Sequence, residues 1–154
     1  MKLRPYQQEA HDHIFEEWDK GNKKTLLVLP TGCGKTIVFA EVAKNCVSNG
    51  DRVLIMAHRG ELLEQAADKI AKSTGLGCAT EKAEQTCIGS WYRIVVGSVQ
   101  SLQRPKRMEQ FSHDYFDTII IDEAHHCLSD GYQRVLNYFN TAKVLGVTAT
   151  PDRG

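Results

Sequence analysis

Hydrophobic side chains along this chain gather into short unbroken runs separated by stretches with helical spacing. The runs are Leu26 to Leu29, Val53 to Ala57, Ile94 to Val96, Ile119 to Ile121 and Val144 to Val147. Continuous Val, Ile and Leu suit strands that are covered on both faces. Between them, Tyr6 to Asp19, Lys35 to Ser48, Glu61 to Lys72 and Tyr132 to Phe139 carry the periodicity of amphipathic helices. Gly21, Gly50 and Gly75 stand where a left-handed residue would close the first three of these helices. Strand and helix in alternation predict an α/β fold, a mostly parallel central sheet with helices on both faces, joined by right-handed crossovers. Gly75 to Trp91 is the least readable stretch, either a loop or a short strand near Gly77 to Thr80. Gln103 to Arg107, with Arg104, Lys106 and Arg107 around Pro105, reads as a basic loop or a helix start.

A chain of 154 residues fits one globular domain and needs neither disulfide nor metal to hold it. The cysteines Cys33, Cys46, Cys78, Cys87 and Cys127 are odd in number and never spaced as Cys-x-x-Cys, so they read as reduced thiols. No apolar run has the length of a membrane span, and Met1 to His13 lacks the core of a signal peptide, which predicts a cytoplasmic chain with no membrane partner. The formal net charge is zero, so a nucleic-acid partner has to be argued from motifs.

The first motif is Pro30-Thr31-Gly32-Cys33-Gly34-Lys35-Thr36, a glycine-rich turn between a buried strand and a helix. Gly32 and Gly34 can take angles closed to other residues, so that successive amides turn inward around phosphate oxygens. The positive end of the helix, the point charge of Lys35 and the hydroxyl of Thr36, a magnesium ligand, address the same polyanion. Leu29 stands where the general pattern has its first glycine. A plain strand-to-helix turn would explain the glycines but has no use for the Lys-Thr that follows. Cys33, at a helix start, is a candidate for a lowered thiol pKa and for cover by nucleotide.

The second motif is Thr118-Ile119-Ile120-Ile121-Asp122-Glu123-Ala124-His125-His126, an apolar strand ending in two carboxylates. Open α/β sheets bind ligands at such strand ends. Asp122 can hold magnesium and Glu123 can orient and deprotonate an attacking water. A solvated strand end would look the same in isolation. His125, His126 and Cys127 do not complete a zinc tetrahedron by spacing, and His125 is the better candidate for a link between the nucleotide site and neighbouring polar groups.

Together these segments resemble the first RecA-like, phosphate-loop lobe of superfamily-two helicases and translocases. Pro-Thr-Gly-x-Gly-Lys-Thr is the form typical of that superfamily, and Asp122-Glu123-Ala124-His125 matches the DEAH signature. Leu3-Arg4-Pro5-Tyr6-Gln7 resembles the adenine-reading motif, which implies that Gln7 bonds the adenine edge and Arg4 packs near the base. The bland reading of Gln7 is an exposed first-turn residue behind Pro5. Val53 to Gln65, with Arg59 and Gly60, and Gly97 to Leu102, with Ser98 and Gln100, resemble motifs that touch the nucleic-acid backbone. Arg59 and Ser98 could equally start and cap helices. Gly146-Val147-Thr148-Ala149-Thr150-Pro151 resembles the coupling motif, which implies a strand between the phosphate-loop strand and the acidic strand, with Thr148 and Thr150 near the γ-phosphate. The nearest likeness is to bacterial DNA-repair helicases and the motor subunits of restriction enzymes.

The resemblance implies that residues 1–154 form a single N-terminal ATP-binding lobe of a nucleic-acid-dependent ATPase. ATP and Mg2+ are the implied cofactors and nucleic acid the implied partner, DNA favoured over RNA. A second lobe in the full-length protein would supply the arginine finger, leaving this chain weakly active alone. A phosphate-loop kinase or metabolic ATPase acting on a small molecule is the competing reading, and a module holding nucleotide as a structural ligand a third. The kinase reading does not explain the Leu-Arg-Pro-Tyr-Gln start or the Thr-Ala-Thr-Pro end, and the structural-ligand reading has little support because every reactive position is present.

Overall fold

A computed structural model of the chain describes residues 3–30, 34–57, 60–81, 86, 88, 92–126 and 129–150. The elements in chain order are α1 (Pro5–Asp19), β1 (Lys24–Pro30), α2 (Lys35–Ser48), β2 (Val53–Ala57), α3 (Gly60–Thr74) and β3 (Cys78–Glu81). They continue with β4 (Ile94–Ser98), α4 (Val99–Leu102), α5 (Pro105–Met108), β5 (Thr118–Asp122), a 3-10 turn (Ala124–His126), α6 (Asp130–Tyr138) and β6 (Lys143–Thr150). Every apolar run predicted to be a strand is one. The open stretch after Gly75 contains the short strand β3, and the basic segment around Pro105 is a single helical turn with Arg104 at its N-cap.

The six strands lie in the order β1-β6-β5-β2-β4-β3, and every recorded pair is parallel. All C-terminal strand ends therefore share one rim of the sheet. β2 is buried at every position because its alternate side chains enter different cores. Val53, Ile55 and Ala57 face the layer of α1, α2 and α3, while Leu54 and Met56 face the layer of α4, α5 and α6. Helices thus cover both faces of the central strands, but β1 departs from that reading: as an edge strand it buries Leu27 and Leu29 and leaves Leu26 and Val28 exposed on its other face. Helices α1 and α2 end in the same Schellman geometry: Gly21 N donates to Trp18 O and Asn22 N to Glu17 O, and Gly50 N donates to Val47 O and Asp51 N to Cys46 O.

A polar knot ties the opposite rim. Thr118 Oγ1 and Lys143 Nζ both donate to Asp51 Oδ2, at 3.1 and 3.0 Å, and the backbone N–H of Arg52 donates to Asp117 Oδ2 at 2.9 Å. Lys143 also lies 5.0 Å from the Trp18 ring, whose indole N–H reaches Val144 O at 3.4 Å. The C-terminal end of α1 is thereby anchored on β6. Cys46 and Cys78 are free thiols, and burial pushes the pKa of both upward, that of Cys78 to about 11. Cys33, Cys87 and Cys127 lie outside the described residues. Among the described residues, no helix is long and apolar enough to cross a membrane.

The core beneath α6 is aromatic. Phe116 is fully buried, with its ring centroid 5.0 Å from that of Phe139 and 5.6 Å from that of Phe111. Phe116→Ala should destabilise the chain by about 3–5 kcal/mol, the usual cost of a cavity that size, read as a lower urea midpoint with an unchanged slope.

Candidate functional site at the strand C-termini

Three neighbouring strands carry the chemistry-bearing segments to one place. β6 lies between β1 and β5, so Thr148 pairs with Val28 and Val147 with Asp122. This is the arrangement that the resemblance implies for the coupling strand. Gly34 follows β1 in a left-handed conformation with φ of 73° and caps α2. The backbone angle favours glycine at Gly34, and a Cβ there would stand 2.7 Å from Gln7 Nε2 and push that amide aside. Lys35 and Thr36 are the first residues of α2 and are half-buried, whereas Thr31, Gly32 and Cys33 lie outside the described residues.

The Lys35 ammonium is held between the two carboxylates of the acidic motif. It stands 2.5 Å from Glu123 Oε1 and 3.1 Å from Asp122 Oδ1. Adjacent residues of a straight strand point to opposite faces, so two such carboxylates could not ordinarily meet on one cation. The chain solves this at Glu123, which takes φ of 56° and is the sole non-glycine with positive φ among the described residues. That conformation costs about 1–2 kcal/mol for an L-residue. Asp122 Oδ1 accepts from the Glu123 backbone N–H at 2.9 Å, which fixes the turn. Burial pulls the Lys35 pKa down, but the hydrogen bond to Glu123 and the charge of Asp122 outweigh it and leave the group above its ordinary value. The ammonium is fully charged through the neutral range.

From Glu123 the chain enters the 3-10 turn, which lies against β6. A Cβ on Gly146 would come within 3.0 Å of the Ala124 Cβ, so glycine in the strand permits this close approach. The approach brings His125 to Thr148, with Nδ1 and Oγ1 3.3 Å apart, while His125 Nδ1 lies 3.6 Å from Glu123 Oε2. The acidic motif and the Thr-Ala-Thr strand are therefore in direct polar contact. Thr150 ends β6 opposite Pro30.

Gln7 is not the exposed first-turn residue of the bland reading. It is only 4% exposed and accepts from the Arg4 backbone N–H at 2.9 Å, with Pro5 opening the helix between them. Arg4 is exposed at the helix N-cap. On the far side of β5, the ends of β2 and β4 lie in register, Ala57 opposite Ser98. Gly60 opens α3, while His58 and Arg59 lie outside the described residues. Ser98 is the N-cap of α4 without a side-chain capping bond; buried, it donates instead to Gln100 Oε1 at 2.7 Å, and Gln100 is the exposed member of the pair. Sequence reading singled out neither His11 nor Asn45, a bonded pair between α1 and α2. Spacing places His11 one helical turn after Gln7 on the same face, but the charged residues around it mask its burial.

The chain is similar to known proteins over nearly its whole length. It is 31% identical to a putative mitochondrial ATP-dependent helicase, irc3, of Schizosaccharomyces pombe, over 97% of this chain and 26% of the relative. It is also 31% identical to the type I restriction enzyme EcoAI endonuclease subunit of Escherichia coli, over 96% of this chain and 19% of that protein. The chain thus spans about a quarter or less of these relatives. The fold matches the UvsW helicase of bacteriophage T4 with a TM-score of 0.77 at 20% identity, over 97% of this chain and 52% of that one. It matches the type ISP restriction-modification enzyme LlaGI, solved with a DNA substrate mimic, with a TM-score of 0.73 at 22% identity, over 100% of this chain and 18% of that one. The sheet and its two helical layers are those of a RecA-like helicase lobe. Residues 1–153 match the family model described as type III restriction enzyme, res subunit, and the chain belongs to that family, within the superfamily-two helicases and translocases.

Proposed function

We propose that this chain binds ATP with magnesium at the rim shared by β1, β6 and β5 and hydrolyses it to drive movement on nucleic acid, DNA in preference to RNA. The observation that carries this reading is the Lys35 ammonium lying between Asp122 and Glu123, at the end of a strand next but one to the phosphate loop. Two carboxylates that already converge on a cation form a donor set suited to a divalent ion, and Thr36 adds a hydroxyl. Magnesium there would neutralise charge on the phosphates. Lys35 would then exchange its carboxylate partners for outer phosphate oxygens. Glu123, freed from the ammonium, would accept a proton from the attacking water as the water oxygen bonds the γ-phosphorus. The bond to the β–γ bridging oxygen breaks, leaving ADP and phosphate. Gln7 and Arg4 would read the base, with Thr31, Gly32, Cys33 and Gly34 lining the phosphates.

His125 and Thr148 would sense the γ-phosphate through their mutual contact, with Thr150 beside them. Nucleic acid would lie along the remaining part of the rim, against Arg59, Gly60, Ser98 and Gln100. Backbone contacts of this kind fix position without reading sequence. DNA is favoured because the EcoAI and LlaGI relatives are restriction enzymes by name, and LlaGI was solved with a DNA mimic. The whole motor would include a second lobe supplying an arginine to the γ-phosphate, a contribution worth roughly 10³–10⁵ in rate.

Lys35→Ala should abolish binding of a fluorescent ATP analogue. Glu123→Gln should keep that binding and lower turnover by roughly 10²-fold or more; unchanged turnover would remove Glu123 from its role. In the full-length protein, ATP hydrolysis measured with and without single-stranded DNA and RNA tests the coupling. Stimulation by DNA is the expected result, and a rate indifferent to either polymer would point to a small-molecule substrate.

A further inference from the structure

Helix α1 buries Gln7, His11 and Ile14 on one face, the i, i+4, i+7 stripe of a helix packed on a neighbour. Two of these three are polar, although apolar side chains would pack there without a desolvation cost. His11 is 7% exposed, and both ring nitrogens are engaged. Nδ1 lies 3.0 Å from Asp12 Oδ1, and Nε2 lies 2.6 Å from Asn45 Nδ2 on α2. A carboxylate only accepts, so Nδ1 carries the proton toward Asp12, and Nε2 faces the Asn45 amide. Gln8 Nε2 also donates to Asp12 Oδ1, at 2.9 Å, which steadies the carboxylate that orients the ring.

We propose that the His11–Asn45 hydrogen bond sets how α1 seats on α2 and so positions Gln7 over the phosphate loop, making both positioning residues for recognition of the adenine base. The proposal rests on the ATP reading of the site. Apolar contact is non-directional and tolerates sliding, whereas a short hydrogen bond does not. The far end of α1 is held by Trp18 on β6, and the near end must be held separately. Gln7 depends on such control because its amide lies directly against Gly34, where an added Cβ would stand 2.7 Å from Nε2 and displace it. Asn45 belongs to the helix that Gly34 caps, so one hydrogen bond ties the base-reading side chain to the same rigid element that carries Lys35 and Thr36.

The test is competitive displacement of a fluorescent nucleotide from the full chain by ATP, GTP and inorganic tripolyphosphate, each with magnesium. His11→Ala and Asn45→Ala should each weaken ATP by about three- to tenfold, the range of one net hydrogen bond, and lower the preference for ATP over GTP by the same factor. Tripolyphosphate affinity should not change, and the double variant should be no worse than either single one. His11→Gln, which keeps a hydrogen-bonding group facing Asn45, should retain most of the preference. If Gln7→Ala removes the preference while His11→Ala and Asn45→Ala preserve it, the positioning role is overturned and base reading by Gln7 stands. An equal loss on tripolyphosphate would reduce the pair to packing and overturn the proposal as well. Should Gln7→Ala leave the preference intact, base reading by Gln7 falls and this proposal with it.

Discussion

One ammonium group and two carboxylates organise the rim of this domain. Lys35 starts α2, Asp122 ends β5, and Glu123 turns out of the strand with a left-handed backbone so that its carboxylate meets the same cation. Strain of this kind in a non-glycine residue persists only where the surroundings over-determine it. Here the surroundings are the hydrogen bond from the Glu123 N–H to Asp122 and the pairing of β5 with β6. The ion pair keeps the ammonium charged despite its partial burial, and the ammonium in turn keeps two adjacent carboxylates from repelling one another apart. A polyanion entering the phosphate loop would compete for the ammonium, and a divalent cation would compete for the carboxylates. In the proposed reading, each half of a magnesium nucleotide replaces one half of an interaction that the chain has already built.

The parallel sheet makes this possible at little cost in chain length. Because every strand ends at the same rim, the order β1-β6-β5-β2-β4 converts distance in sequence into adjacency in space. β5 has β6 on one side and β2 on the other, so the acidic motif borders the ends of both strands. Gly146 and the short 3-10 turn bring His125 and Thr148 into contact across that border. The opposite rim is tied by Asp51, Thr118 and Lys143, polar groups whose hydrogen bonds fix the starts of β5 and β6.

Most of the fold was legible in the sequence because the central strands β2, β4 and β5 are buried on both faces. An unbroken apolar run such as Ile119 to Ile121 admits few other structures once glycines and helical spacing bound it. The strand-to-helix junction at Lys35 and the carboxylates at Asp122 and Glu123 were legible as a candidate site because residue type and order together suggest one chemistry, and the structure brings these three side chains together. β3 was not, since four residues with Glu81 among them carry too weak a pattern to separate strand from loop. The turn at Glu123 was hidden as well, because nothing in Asp-Glu-Ala-His announces a left-handed residue that is not glycine. The seating of α1 escaped for a different reason: a buried histidine reads as a surface residue when its neighbours are Asp12, His13, Glu16 and Glu17.

That last case shows what periodicity measures and what it omits. The stripe of α1 is weakly apolar because two of its inward positions, Gln7 and His11, are polar, and both are buried. A helix held only by its apolar face could rotate or slide by a fraction of an ångström at small cost, since hydrophobic contact has no direction. A helix that must present one amide beside Gly34 cannot be allowed that freedom. Buried polar groups that are fully satisfied provide orientation where apolar ones provide only adhesion, and they do so only when every donor and acceptor finds its partner. His11 meets that condition through Asp12 and Asn45. The weakness of the hydrophobic pattern in α1 is therefore itself informative, because it falls at the positions where the helix gives up adhesion for alignment.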